Sequence, residues 1–266
     1  MAYNYPRKRV CGRRVGVMLP PMARTLAGIH AVRHALDSGQ SIRELVIEKG
    51  KQHPRLNELV HLARGAGIPV SFSPRQALER LAQGVTHQGV VAQLTGEAAR
   101  VDFKVWLDGL DVAVAPLVLL LDQVTDPHNL GACIRTAEAA GCAAVIVPRD
   151  HAADLDSPVV AKSACGALSR LPVIVVTNLV RSIEALQEKG FWICGLAGEG
   201  DNDLYGARLT GPLALVLGAE GTGLRRLVRE RCDQLLRIPM PGSVESLNVS
   251  VATGVALFEA VRQRQA

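Results

Sequence analysis

Five consecutive apolar residues, Leu-Val-Leu-Leu-Leu, stand between Pro116 and Asp122. A strand with one wet face alternates apolar and polar side chains, whereas a run with no polar member suits a strand covered on both faces. The pattern recurs at residues 143–147, 173–176, 191–196 and 213–217, and 235–238 is read as a further strand with Arg237 inside it. Helical periodicity falls between and after these runs, over 131–140, 157–167, 179–189, 224–232 and 247–263. Strand–helix alternation on this scale predicts an α/β fold whose largely parallel sheet is covered on both sides. A chain that is 48% hydrophobic but only 3% aromatic supports close helix–sheet packing over an aromatic-rich β sandwich.

The residues before this region alternate on a smaller scale. Helices are expected at 28–36, 57–66 and 74–81, and strands at 45–47, 70–72 and 89–94. We therefore expect a small α/β domain over 25–97, a linker with at most a short helix over 98–115, and a larger domain over 116–266. Thr86-His87-Gln88-Gly89 lies at the entry to the last strand of the small domain. Its His and Gln suit RNA contact, and a plain polar turn accounts for them equally simply. Residues 1–24 carry Arg7, Lys8, Arg9, Arg13, Arg14 and Arg24, with no acidic residue and with Pro6, Pro20 and Pro21. They are expected to form a disordered basic tail able to touch nucleic acid, in line with the net charge of +5.

This stretch is neither a secretory signal nor a Ser-rich transit peptide. No segment approaches the ~20 apolar residues of a membrane span. The cysteines (Cys11, Cys133, Cys142, Cys165, Cys194, Cys232) are scattered, with no C-x-x-C pair. They read as small buried side chains in a reducing compartment, so a cytoplasmic location without membrane contact is expected.

Three polar turns follow strands of the larger domain, the end at which open α/β sheets bind ligands. They are Asp122–Gly131, with Arg135 one turn inside the next helix, then 218–224, then 238–249. The second turn is rich in glycine, but it lacks the Lys-[Ser/Thr] of a phosphate-binding loop. Arg226 stands where a dinucleotide motif would need its third glycine. Asp122, Asp126 and His128 match no named metal spacing, so no metal is expected. Ser246 lacks a nucleophile elbow and a His partner. In the third turn Ser246 and Asn248 stand where the last helix begins and suit its cap. Beyond them Leu247, Val251, Val255 and Phe258 form one apolar stripe, read as both core and dimer surface.

Taken in order, D-P-x-N-x-G-x-x-x-R, L-G-x-E-G-x-G-L and I-P-M-x-G-x-x-x-S-L-N-V-S-x-A resemble the three signature motifs of the SpoU (TrmH-like) ribose methyltransferases, over about residues 116–266. The small domain, with G-I-H-A-V near its start and H-Q-G near its end, is similar to the RNA-binding domain of bacterial 23S rRNA guanosine-2′-O-methyltransferases. The resemblance implies a SPOUT-type α/β trefoil-knot fold, S-adenosyl-L-methionine as methyl donor, a homodimer, and ribosomal RNA as substrate. It places Asn129, Arg135, Glu220, Ser246 and Asn248 in the active site, with backbone near Gly218, Ile238 and Leu247 cradling the cofactor.

For the proton of the 2′-hydroxyl two roles of Arg135 stay open. One is a base. The other is a cation that holds a phosphate and polarises the hydroxyl, which suits a guanidinium whose ordinary pKa lies above about 12. Asn129, Ser246 and Asn248 suit hydrogen-bonded positioning. Arg225, Arg226, Arg229 and Arg231 offer a face for phosphates. Two other functions are weighed beside 23S rRNA methylation: methylation of a tRNA ribose, and a catalytically silent RNA-binding role in ribosome assembly.

Overall fold

A computed structural model describes residues 25–37, 39, 41–94 and 101–265; the basic stretch before them lies outside the described residues. The chain opens with β1 (Thr25–Ala27), α1 (Ile29–Asp37), β2 (Ile42–Glu48), α2 (Pro54–Gly65), β3 (Val70–Ser73), α3 (Arg75–Ala82) and β4 (Val90–Leu94). The strands make a four-stranded sheet in the order β1-β4-β2-β3, parallel between β2 and β3 and antiparallel elsewhere. The period of two along each strand sorts the core into two layers. Leu45, Ile47, Val90 and Ala92 pack on Val32, Leu56 and Leu59 of α1 and α2, while Val46 and Val91 pack on Leu78 and Ala82 of α3.

The second unit comprises α4 (Phe103–Asp108), β5 (Leu117–Asp122), α5 (Pro127–Ala139), β6 (Ala144–Pro148), α6 (Pro158–Ser163), β7 (Val173–Val176), α7 (Leu179–Glu188), β8 (Trp192–Leu196), β9 (Asn202–Asp203), β10 (Leu213–Gly218), α8 (Arg226–Glu230), β11 (Gln234–Arg237) and α9 (Val249–Gln265). Its seven strands are all parallel, in the order β7-β6-β5-β10-β8-β11-β9. The apolar run in β5 is buried on both faces. Leu117, Leu119 and Leu121 face Leu130, Ile134 and Leu257 of α5 and α9, and Val118 and Leu120 face Leu107, Ile183 and Val228 of α4, α7 and α8. Parallel strands put the C-terminal ends of β5, β10, β8 and β11 on one edge, and the three polar turns emerge there.

Several details depart from the sequence expectations. β1 and β9 are too short to show a pattern. α5 begins at Pro127 instead of residue 131, because the Asp126 carboxylate accepts from the Asn129 N–H at 2.9 Å and Pro127 suits a first turn. The connecting stretch, by contrast, holds the short helix allowed for there, α4, capped by Asp102. The largest departure is in α9. Its core face is Val249, Thr253, Ala256, Leu257 and Ala260, while Val251 and Phe258 of the stripe read as both core and dimer surface are 51% and 49% exposed and take no share in the core. The helix is apolar around most of its circumference, so periodicity alone could not choose which side meets α5.

The far end of α9 is tied to the loop before β10. The Arg264 guanidinium donates to the carbonyls of Ala115 (2.6 Å), Leu209 (3.0 Å) and Gly211 (2.7 Å), and its burial lowers its pKa. One turn back, Arg262 and the Gln263 amide donate to Glu259 and hold its carboxyl down at about 2. A carboxyl whose folded pKa lies below its unfolded value of about 4.3 adds stability above that pH and loses it as pH falls toward the folded value. Glu259→Gln should therefore lower the melting temperature near neutrality and flatten the decline in stability between about pH 4.5 and 2. An unchanged acid slope in a pH series of thermal melts would show that the pair contributes nothing.

Candidate active site

At the edge formed by β5 and β10, two loops are joined by a buried charge. Asp122, 0% exposed, accepts from the Arg225 backbone N–H (2.8 Å) and Nε (2.7 Å) and is paired with its Nη2 at 2.6 Å. A buried carboxylate is stable only when its lone pairs are met, and Arg225 meets them from the loop after β10. That loop folds back on itself: the Gly223 N–H donates to the Ala219 carbonyl at 3.0 Å, and Gly221 and Gly223 take φ of +79° and +64°. A Cβ on Gly218 would stand 2.1 Å from the Gly223 carbonyl, so the fold-back admits only glycine there.

Glu220, carried at the tip of this loop, gathers the other two. Its Oε1 accepts from Asn129 Nδ2 at 3.1 Å, from Asn248 Nδ2, and from the Val249 N–H at 3.2 Å. Asn248 Nδ2 also donates to Asn129 Oδ1 at 3.0 Å. The other end of the Asn248 amide caps α9, its Oδ1 accepting from the Ser250 N–H at 2.9 Å and from the Ser250 hydroxyl. The carboxylate thus sits over the N-terminus of a 17-residue helix, where the backbone dipole favours negative charge. One residue from each polar turn meets here.

Residues 116–258 match the SpoU rRNA Methylase family, and residues 25–98 match the RNA 2′-O ribose methyltransferase substrate binding domain. The chain belongs to the SpoU family. Similar relatives are named 23S rRNA (guanosine-2′-O-)-methyltransferase RlmB. That of Pectobacterium atrosepticum is 52% identical over 91% of this chain and 99% of its own length. That of Escherichia coli K12 is 49% identical over 91% of this chain and 100% of its own. Among solved structures, the SpoU methyltransferase AviRb from Streptomyces viridochromogenes, in complex with the cofactor AdoMet, is 30% identical with a TM-score of 0.73, covering 91% of this chain and 90% of that one. An AdoMet-bound rRNA methyltransferase from Sinorhizobium meliloti is 26% identical with a TM-score of 0.74, covering 91% and 87%. These likenesses give the chain the SPOUT-type fold that its motifs implied.

Of the SpoU site residues expected from sequence, the structure brings Asn129, Glu220 and Asn248 into one cluster. Arg135 lies six residues beyond Asn129, about 9 Å along α5. It is exposed, and its Nη1 rests on the Cys165 sulfur at 3.5 Å. Ser246 is exposed in the loop before α9 and takes no part in the cluster. Gly218, Ile238 and Leu247 are half-buried around the edge.

Each arginine of α8 and its flanks stands beside a carboxylate. Arg225 is taken by Asp122, Arg226 by Glu230 (2.7 Å), Arg229 by Glu199 and Arg231 by Glu184 (2.9 Å). In the small domain Gln88 Oε1 accepts from the Ile29 N–H at 3.0 Å and His87 Nδ1 from the Gly89 N–H at 3.0 Å, so both build the turn. Among the described residues no group of three or more His, Cys, Asp or Glu side chains could hold a metal.

Sequence reasoning missed two features. One is the Asp122–Arg225 tie, whose partners lie 103 residues apart and share no motif. The other is the turn Ala197-Gly198-Glu199-Gly200 after β8, between the strands that carry Gly218 and Ile238. Its two glycines were the available signal.

If Glu220 acts as the tie between loops, Glu220→Ala should cost about 1–2 kcal/mol of stability in denaturant titrations without substrate or cofactor. Full stability with lost activity would instead give Glu220 a direct part in the chemistry.

Proposed function

We propose that the chain transfers the methyl group of S-adenosyl-L-methionine to the ribose 2′-hydroxyl of a guanosine in 23S rRNA, in the cytoplasm. The observation that carries this reading is the meeting of Asn129, Glu220 and Asn248 at one edge of a SpoU fold. Relatives named for that reaction share about half of its residues along nearly the whole chain. The tRNA alternative has less support, because RlmB-type likeness extends through the small domain. We assign residues 25–97 to RNA binding and 116–266 to methyl transfer. Among the described residues no helix is long and apolar enough to cross a membrane.

S-adenosyl-L-methionine supplies, when bound, an electrophilic methyl on a sulfonium. The residues present suit such a ligand. Gly198 and Gly221 have nothing within 4 Å of where a Cβ would stand, which leaves their backbone open to a close ligand. Gly218, Ile238 and Leu247 would hold it through main-chain groups around the same edge. Asn129, Ser246 and Asn248 contribute hydrogen bonds that orient the ribose. Glu220 keeps the two asparagines in place. Holding both reactants in line is worth roughly 7–11 kcal/mol, so positioning is the largest contribution.

Arg135 takes the role of cation in this reading. Its partner is a cysteine sulfur and not a carboxylate, so the guanidinium remains available to hold a phosphate and polarise the 2′-hydroxyl. Arg135→Ala should lower tritiated-methyl transfer to unmodified 23S rRNA by at least about 100-fold and leave cofactor affinity in calorimetry within about 2-fold. Parallel loss of both would make its role structural, and no transfer by the unaltered protein would overturn the reading.

We further propose a homodimer joined through α9. Val251 and Phe258 lie on the side of the helix away from its own core, and Val244 just before it is 61% exposed. Apolar surface of this kind is expected to be covered by a partner. Phe258→Asp should convert a dimer into a monomer in light scattering while circular dichroism stays unchanged. Persistence of the dimer would place the interface elsewhere.

A further inference from the structure

The small domain holds a polar cavity of about 280 Å³ whose walls include Glu48, Lys51, Arg75, Glu79, Thr86 and His87, and none of the three loops of the candidate active site. His87 is 8% exposed. Its Nδ1 accepts from the Gly89 N–H, and a nitrogen that accepts carries no proton, so the ring's N–H is on Nε2. No described residue bonds Nε2. Among the described residues no buried polar side-chain atom lacks a partner, so Nε2 is not sealed from solvent, and its ring lines this cavity.

The donor's direction is set by an unusual backbone. Gln88 and Gly89 both have positive φ, at 53° and 97°. Gln88 is anchored on the first turn of α1, and the aliphatic stem of Lys51 lies over Gly89 so closely that a Cβ there would be 2.7 Å from Lys51 Cδ. Around the imidazole stand two ion pairs, Lys51 with Glu48 at 3.5 Å and Arg75 with Glu79 at 2.9 Å. The cavity therefore offers one fixed donor, two cations suited to phosphate, and two carboxylates able to accept from a base amino group.

We propose that this cavity takes one unpaired nucleotide of the RNA substrate, with His87 Nε2 donating to an acceptor on its base; this rests on the reading of the chain as an RNA methyltransferase. Duplex RNA hides its base edges in a narrow groove, whereas an unpaired base can be turned out and bound by its edge. A cavity of this size admits a single base and no duplex. The domain that carries it matches a substrate-binding domain of RNA 2′-O ribose methyltransferases. His87 then acts in choosing the substrate, apart from the methyl-transfer site.

His87→Asn tests this in the full chain. The Asn carbonyl can accept from the N–H two residues on, as His87 Nδ1 does, so the turn is kept, while the shorter Asn amide places no donor where Nε2 stands. With an unmodified 23S rRNA fragment, KM should rise about 3- to 10-fold, while kcat and S-adenosyl-L-methionine affinity stay unchanged. An unchanged KM in a variant with normal melting temperature overturns the proposal. Should the variant be unstable, the unaltered protein decides by NMR: the His87 ring signals shift when the RNA fragment is added, and their constancy at saturating RNA overturns the proposal. The titration needs binding alone. Failure of the unaltered protein to methylate any RNA would therefore sink the methyltransferase reading, while the titration still decides the cavity.

Discussion

One carboxylate oxygen, Oε1 of Glu220, accepts from side chains of two other loops and from the first N–H of the last helix. Those loops follow β5, β10 and β11, and nothing local in any of them would hold it against the others. Three donors on one oxygen make an arrangement that is satisfied only when all three loops are in place. The Asp122–Arg225 pair below serves the same end from inside the fold, because its fully buried carboxylate has no alternative partner in water. The candidate site is thus a meeting point of chain segments more than 90 residues apart, from Asn129 to Glu220.

The parallel sheet makes that meeting possible. With every strand running the same way, each strand-to-helix turn of the larger unit that carries a motif emerges on one edge. Close packing then sets the helices that carry the side chains. A Cβ on Gly131 would stand 2.5 Å from Ser163 Cβ, so α5 and α6 approach as near as backbones allow. Across the units, Arg170 bridges Glu138 of α5 at 2.7 Å and His34 of α1 at 2.8 Å, beside the Cys165 that supports Arg135. The small domain is thereby seated on the same helix that carries Asn129 and Arg135.

Legibility differed among residues for physical reasons. Strand positions were legible because burial on both faces leaves an unbroken apolar run, as at 117–121. Asn129, Glu220 and Asn248 were legible as motif members, and their spacing within each loop is local. The carboxylate partners of the four arginines around α8, Asp122, Glu184, Glu199 and Glu230, were not legible, because they mostly come from other loops and helices. His87 was legible as a residue suited to RNA contact or to a plain polar turn, without a choice between the two. That one of its nitrogens is spent on the turn while the ring lines a cavity depends on which side Lys51 and Arg75 approach from.

The sequence by itself determined the α/β class, the order of elements and the three polar turns, because apolar periodicity and turn chemistry act over a few residues. It also determined membership of the SpoU family, through the motifs. Only the tertiary structure decided which face of α9 is core. The helix is apolar nearly all round, and the choice falls to α5 on one side and to the Arg264 ties at its end. Only the tertiary structure decided, too, that Glu220 joins loops and that Arg135 rests on the Cys165 sulfur. A charged group takes whichever partner the fold brings within reach, and that partner is set by packing between distant segments.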